Sequence, residues 1–272
     1  MSENVTDTGR IKYERCPLCE SSDIAQFCKA NCAKHRLYQP VIPPVMTWMR
    51  CASCGHVFTD GYFRPEVANA IFANTLEHQV PGSRLEQQRE VSATMVAKVV
   101  PYVSSGPWLD VGFGNGSLLF TAAEFGFRPI GIDLRPTSVE AMHRFGVEAY
   151  CGDFTNFAYR EPISVISFAD VLEHMPYPRK ALVAARNLLS PAGVLLVSMP
   201  NYGSPVWRYL DSTKANPYWG ELEHFHNFSR ERLYSLMHEH GFEPLRYDIS
   251  RRYRLCMEVL FSPSWAPQRP SD

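Results

Sequence analysis

Asp110-Val111-Gly112-Phe113-Gly114-Asn115-Gly116 decides the fold of this 272-residue chain. The apolar run Pro107-Trp108-Leu109 leads into it, and a helix-like segment, Ser117 to Phe125, leads out. Pro129-Ile130-Gly131-Ile132 then reads as a second short strand ending in Asp133. Strand, glycine-rich turn, helix, strand and acid together have the βαβ form of a nucleotide-handling unit. Glycines at the turn let the backbone bend tightly and come close to a ligand with no Cβ in the way. An acid about 20 residues beyond the turn is placed to accept hydrogen bonds from a ribose diol.

The spacing is D-x-G-x-G-x-G, not the G-x-G-x-x-G of dinucleotide sites, and an acid already stands at the strand end. A carboxylate repels a phosphate and attracts an ammonium. The turn therefore favours a nucleoside carrying a positive amino-acid tail over a pyrophosphate. Downstream, Ser164–Phe168 and Val194–Ser198 read as buried strands between helical patterns. Alternating strand and helix predicts an α/β fold, a parallel sheet with helices on both faces. Ligands of such sheets bind at the carboxyl ends of the strands, where these motif residues fall.

The glycine turn resembles motif I of the class I S-adenosylmethionine-dependent methyltransferases, and Asp133, with Leu134 beside it, matches the acidic ribose ligand of motif II. In that family an acid at the position of Asp153 in Cys151-Gly152-Asp153-Phe154 contacts the adenine amine, and its neighbour packs on the ring. Asp170-Val-Leu-Glu173-His174-Met-Pro-Tyr-Pro178 is similar to the "LEH-x-P-x-P" signature of small-molecule members, and Ser190-Pro-Ala-Gly193 turns into a fifth strand ending in Pro200-Asn201. The resemblance runs from about residue 90 to 262. It implies a Rossmann-like methyltransferase sheet, S-adenosyl-L-methionine as cofactor, and Asp110, Gly112, Gly114, Gly116, Asp133, Leu134, Asp153, Phe154 and Asp170 as cofactor-binding residues.

His224-Phe225-His226-Asn227-Phe228-Ser229 is similar to the "H-x-H-x-F-S" element of the ubiquinone-type group, with Ser229 placed to cap a helix from Arg230 to His240. In that group a histidine here or in the LEH motif often faces the acceptor. A histidine that titrates near neutrality can take a proton from a hydroxyl as the methyl arrives. The catalytic candidates are His174, His224 and, third, His226. Asp170-x-x-Glu173-His174 also matches, with Asp for Glu, an E-x-x-E-H element that binds a divalent ion in ubiquinone O-methyltransferases and in small-RNA 2′-O-methyltransferases, the latter adding a later histidine for which His224 or His226 could serve, although LEH motifs are widespread in members without a metal. Tyr202, Trp207, Tyr209, Tyr218, Trp219 and Phe225 crowd a connection too long for a tight turn. Such loops are usually functional, and this one reads as a cover for the acceptor end or a cap on the core.

Cys16-Pro-Leu-Cys19 and Cys51-Ala-Ser-Cys54 are two C-x-x-C knuckles separated by 31 residues. Together they supply four thiolates for a tetrahedral zinc ion. Four thiolates leave no open coordination position, so such an ion is structural. Cys28 and Cys32 read as unliganded residues of the insert between the knuckles, with His35 nearby. Cys151 and Cys256 read as core. The expected organisation is a zinc-ribbon-like module over 1–60, a helical linker and lid over 61–106, and the methyltransferase domain over 107–272, with an acceptor-covering insert at about 201–228. Residues 1–12 read as frayed and the last ten as a surface tail. A stripe of Val91, Met95, Val96, Val99 and Val100 predicts a helix in the linker.

The chain is 45% hydrophobic with a net charge of −1, ample for a packed core and without the basic excess that favours a phosphate backbone. Its N-terminus lacks the basic and apolar regions of a signal peptide, and no apolar run approaches the ~20 residues of a membrane span. The reading is a soluble, cytosolic methyltransferase with no membrane partner, acting on an O or C atom of a small-molecule acceptor. Oligomeric state is not legible. One alternative is methylation of RNA or a peptide gripped by the zinc module, although residues 1–60 hold seven Lys/Arg against six Asp/Glu. Another is a non-catalytic binding protein with a methyltransferase fold.

Overall fold

A computed structural model describes residues 9–40, 42–72 and 79–265. The N-terminal part comprises strands β1 (Arg10–Lys12), β2 (Ile24–Asn31), β3 (Val45–Cys51), β4 (Val57–Thr59) and β5 (Gly61–Phe63), then helices α1 (Pro65–Phe72) and α2 (Leu85–Val99). The glycine motif follows as β6 (Gly106–Val111), α3 (Ser117–Glu124), β7 (Phe127–Asp133), α4 (Pro136–Arg144) and β8 (Glu148–Cys151). The remainder is β9 (Ile163–Ala169), α5 (Pro178–Leu188), β10 (Leu189–Pro200), α6 (Pro205–Ser212), β11 (His226–Asn227), α7 (Arg230–Glu239), β12 (Phe242–Ile249) and β13 (Cys256–Pro263).

Seven strands form one sheet in the order β12-β13-β10-β9-β6-β7-β8. Only β13 runs antiparallel to its neighbours, so the sheet is mixed rather than wholly parallel. The chain winds outward from β6 to β8 and then returns to β9 on the other side of β6. Strand order therefore reverses between β6 and β9, where side chains and loops at the carboxyl ends diverge and leave a crevice. Trp108, Leu109, Val165, Ile166, Phe168 and Leu195 to Val197 are fully buried. The predicted turn at Ser190–Gly193 is instead part of β10, whose pairing with β9 shifts register between Leu189 and Val194.

Met95, Val96 and Val99 of α2 bury their side chains against Leu118, Leu119 and Ala122 of α3, so the predicted stripe packs α2 onto the sheet's helical layer. Val91 and Val100, at the edges of that stripe, are half-buried. Arg10 to Lys12 are not frayed as expected but pair antiparallel with β5. The Arg10 guanidinium, stacked 4.2 Å from the Phe63 ring, donates to the Gly61 carbonyl and anchors that pair. Residues 1–8 and 266–272, which hold the rest of the expected frayed ends, lie outside the described residues.

The second sheet has the order β11-β4-β3-β2. Its first strand is His226–Asn227, which pairs with Val57 and Phe58 from the far end of the sequence. This sheet crosses the boundary expected near residue 60. Cys256 is buried as predicted, whereas Cys151 is exposed because it ends β8, the outer edge of the large sheet. α7 begins as the sequence indicates, with Ser229 Oγ accepting from the Arg232 amide at 3.1 Å. Ser229→Ala should lower stability to urea by about 1 kcal/mol, the typical loss of an N-cap, with the helix otherwise retained by circular dichroism.

Candidate active site

A cavity of about 550 Å³ opens at the switch point, in the size range of small-molecule sites. One end is walled by Gly112, Gly114, Asp133, Leu134, Asp153 and Phe154. Gly114 holds φ +54°, and nothing lies within 4 Å of where a Cβ would stand, so its backbone is open to an occupant. Gly116 plays a different part. It does not line the cavity, and a Cβ there would meet Met142 Sδ and the Phe120 ring at 2.9 Å. Its role is to let α3 pack closely as it leaves the turn.

Asp110 also stands behind the wall rather than in it. Its Oδ1 accepts from Ser167 Oγ at 2.6 Å, and that hydroxyl in turn accepts from Trp108 Nε1 at 2.9 Å. Burial pushes its carboxyl up to about 7, although the Ser167 hydrogen bond pulls the other way. The expected direct contact with an ammonium is thus replaced by a charge set one layer back. Asp133 faces the cavity, and both its oxygens accept from Arg135, at 2.8 Å to Nε and 2.7 Å to the terminal nitrogen. A carboxylate has about four lone-pair sites, so a diol would share Asp133 with Arg135 or displace it. Asp153 caps the short turn after β8 through one oxygen, Oδ1. Leu134 projects into the cavity wall 64% exposed, an apolar surface suited to a flat ring.

The other end is built of imidazoles and carboxylates. Asp170 at the end of β9 holds φ +59°, uncommon for a non-glycine residue, and its Oδ1 accepts from Ser198 Oγ at 2.9 Å. His174 Nδ1–H donates to the Glu223 carbonyl at 2.9 Å, which leaves Nε2 as the acceptor. The His224 ring meets that of His174 edge-on, with centroids 4.7 Å apart. Burial, reinforced by the positive charge His174 can carry, lowers His224 to about 3, so its imidazole is neutral. Glu173 is 1% exposed with neither oxygen hydrogen-bonded, and burial beside Asp170 raises its carboxyl well above the usual range.

Ligand atoms of Glu173, His174 and His224 lie within 4.8 Å of one another. Asp170 stands outside that group, so the convergent set is Glu173 and His174 of the D-x-x-E-H element together with the later histidine His224. His226 is absent from the wall. Its Nε2–H donates to the Met175 carbonyl at 2.9 Å, so its Nδ1 accepts from His56 Nε2–H at 3.0 Å. Both nitrogens are committed, and the residue is a structural tie rather than an acceptor-facing base.

Sequence reading missed the contribution of the N-terminal part. Arg36 and Leu37, from the insert between the two knuckles, line the cavity beside Tyr218, Glu221 and Tyr253. His35 Nε2 pairs with Glu221, a contact across 186 residues for which no local pattern gives a signal. The aromatic connection both covers and caps. Tyr218 reaches the cavity, while the Trp219 carbonyl accepts from Trp48 Nε1 at 2.9 Å on β3.

Away from the cavity, the Sγ atoms of Cys16, Cys19, Cys51 and Cys54 lie within 4.8 Å of one another. Cys16 and Cys54 are 3.7 Å apart, and Cys19 and Cys51 3.5 Å. A tetrahedral zinc with bonds of ~2.3 Å places its sulfurs ~3.8 Å apart, so the residues fit that ion. Cys28 and Cys32 are not in the cluster, and Cys32 donates to the Pro43 carbonyl.

A family model for a methyltransferase domain matches residues 84–247. The chain belongs to that family, the class I S-adenosylmethionine-dependent methyltransferases. It is 30% identical over 143 residues to the ubiquinone biosynthesis O-methyltransferase of Histophilus somni, covering 48% of this chain and 56% of that protein. The enzyme of that name from Nitrosococcus oceani is 33% identical over 104 residues, covering 34% and 43%. The chain thus spans about half the length of the curated relatives it matches. The fold is similar to that of a 1,6-didemethyltoxoflavin-N1-methyltransferase from Burkholderia thailandensis, solved with bound 1,6-didemethyltoxoflavin and S-adenosylhomocysteine. That match has a TM-score of 0.56 at 16% identity and covers 77% of this chain and 96% of that one. Magnesium protoporphyrin IX methyltransferase from Synechocystis, with bound S-adenosylhomocysteine, gives 0.52 at 14% identity and covers 75% and 90%.

The buried Asp110 has a pH signature. Its carboxyl titrates near 7 folded and near 3.8 unfolded, so between those values the folded state holds the extra proton and stability falls as pH rises. Asp110→Asn should raise the melting temperature of the ligand-free protein more at pH 8 than at pH 5, measured by differential scanning calorimetry.

Proposed function

We propose that this chain transfers a methyl group from S-adenosyl-L-methionine to an O or C atom of a small-molecule acceptor, as part of a biosynthetic sequence. The observation that carries the reading is the single cavity joining the family's cofactor positions to a wall of histidines and carboxylates. Bound there, the sulfonium cofactor supplies an electrophilic methyl with a good leaving group. Methyl transfer then asks the protein mainly for alignment and exclusion of water.

Each residue has a part in this reading. Gly112 and Gly114 bring backbone to the amino-acid tail, and Asp133 takes the ribose diol. Asp153 has an oxygen free for the adenine amine, with Leu134 and Phe154 against the ring. Asp110 and Asp170 supply negative potential at the sulfonium end. His174 is the base: its Nδ1–H is fixed by the Glu223 carbonyl, so Nε2 can take the acceptor's proton. His224, kept neutral by burial, packs against it and orients the acceptor. The small-molecule size of the cavity and the near-even charge of the first 60 residues favour a small acceptor over RNA. Among the described residues no helix is long and apolar enough to cross a membrane.

The four-cysteine cluster holds a structural zinc ion in this reading, and none of its members lines the cavity. Metal analysis should find one zinc per chain, lost in Cys54→Ser, and a strong chelator should lower the melting temperature of the parent protein but not of that variant.

Calorimetric titration of S-adenosylhomocysteine into zinc-replete protein tests the main reading. Micromolar binding is expected, weakened at least about tenfold in Asp133→Ala, since losing a hydrogen-bonded charge costs about 1.5–3 kcal/mol. Absence of binding by the intact chain would overturn the assignment.

A further inference from the structure

Among the described residues two Arg or Lys side chains line the cavity, Arg36 and Arg135. Arg135 is closed bidentately on Asp133. Among the described residues Arg36 has no carboxylate partner, and it stands at the opposite, acceptor end.

It is also held in place there. His35 on one side pairs with Glu221 across the cavity rim, and Leu37 on the other side is buried in the core of the N-terminal sheet. The Leu37 amide donates to His35 Nδ1 at 3.3 Å, which ties these two anchors together. A guanidinium between two fixed neighbours loses less freedom on binding than one on an open loop.

Tyr218 and Tyr253 share this end of the cavity, and neither phenol makes a hydrogen bond among the described residues. Burial and the neighbouring Asp170 push the Tyr253 hydroxyl up, while Arg252 and Arg36 pull it down. Tyr253 in turn bears on Tyr218. Three uncommitted donors thus share the mouth, one of them a planar fork of the kind that fits carboxylate and phosphate oxygens. At the rim the Glu221 carboxylate is answered by His35, whereas beside His174 the carboxylates of Asp170 and Glu173 would repel a second negative group.

We propose that the acceptor carries an anionic group, carboxylate or phosphate, bound at the cavity mouth by Arg36 with the Tyr218 and Tyr253 hydroxyls, while its reacting atom points inward to His174. This rests on the methyl-transfer reading and narrows its substrate class. An anion on Arg36, and the carboxylates beside His174, favour the orientation that carries the acceptor's far end toward the cofactor. The N-terminal module, through one anchored loop, thereby selects the substrate.

The test uses the full chain saturated with S-adenosylhomocysteine and three probes of one shape: phenyl phosphate, benzoate and neutral benzamide. Each is titrated by ligand-observed NMR into the parent protein, Arg36→Met, Arg36→Lys and Tyr253→Phe. One of the anions should bind about tenfold more tightly than benzamide, the scale of a charge-assisted contact. Whichever anion does so identifies the group. Arg36→Met should abolish the preference, Arg36→Lys should keep part of it, and Tyr253→Phe should weaken it. S-adenosylhomocysteine affinity should be unchanged in all three variants. Normal cofactor binding with no preference for either anion, or with a preference intact in Arg36→Met, would overturn the anion site and leave the methyl-transfer reading standing. Failure of the parent protein to bind S-adenosylhomocysteine would overturn both.

Discussion

The acceptor end of this molecule depends on the two residues of β11. His226 and Asn227 leave the catalytic domain, pair with β4, and complete a sheet whose other three strands come from the first 60 residues. Two backbone partners alone would be a weak seam, but the side chains lock it. His56 Nε2–H donates to His226 Nδ1, and His226 Nε2–H donates to the Met175 carbonyl of the segment after β9. Each donor has one acceptor, so both tautomers are fixed by the chain of bonds itself. Burial holds both imidazoles neutral, lowering His226 to about 4 and His56 well below its usual range. Tyr13 adds a third tie through its hydroxyl to the Pro176 carbonyl at 2.7 Å.

That seam explains why the cavity has two characters. The cofactor end is made mainly by the loops after β6, β7 and β8 of the large sheet, with the segment before α2 bonded to the glycine turn through Gly82, Ser83 and Asn115. The acceptor end is made jointly, with the rim of one wall supplied by the insert between the cysteine knuckles and the other by the aromatic connection after β10. A metal closed by four sulfurs has no chemistry of its own to offer. A zinc ion at the cysteine cluster would brace one end of the β2–β3 pair, whose other end carries the loop bearing His35, Arg36 and Leu37.

The charges follow the same division. Carboxylates concentrate around the crevice between β6 and β9, where Asp110 and Glu173 are kept at raised pKa by burial rather than by a partner. Histidines surround them, and all except His174 are either committed to hydrogen bonds or held neutral by burial. The arrangement leaves His174 Nε2 and the His224 imidazole without hydrogen-bond partners among the described residues at the cavity wall.

By itself the sequence determined the class of the fold, the crevice and the cofactor end. Those features rest on local chemistry: a glycine turn after a strand, an acid after the next, apolar runs of strand length, and the spacing of two C-x-x-C knuckles. Each is a property of a few neighbouring residues and can be read without knowing what lies across from it. Only the tertiary structure decided which histidine faces the cavity and which ties two sheets together, since His224 precedes β11 and lines the cavity whereas His226 opens β11 and bonds His56 and the Met175 carbonyl. It also moved Asp110 and Gly116 behind the wall and brought Arg36 into it. Those outcomes depend on contacts between residues far apart in the chain, Glu221 with His35 and His226 with His56, and such contacts form only when the whole core closes around them.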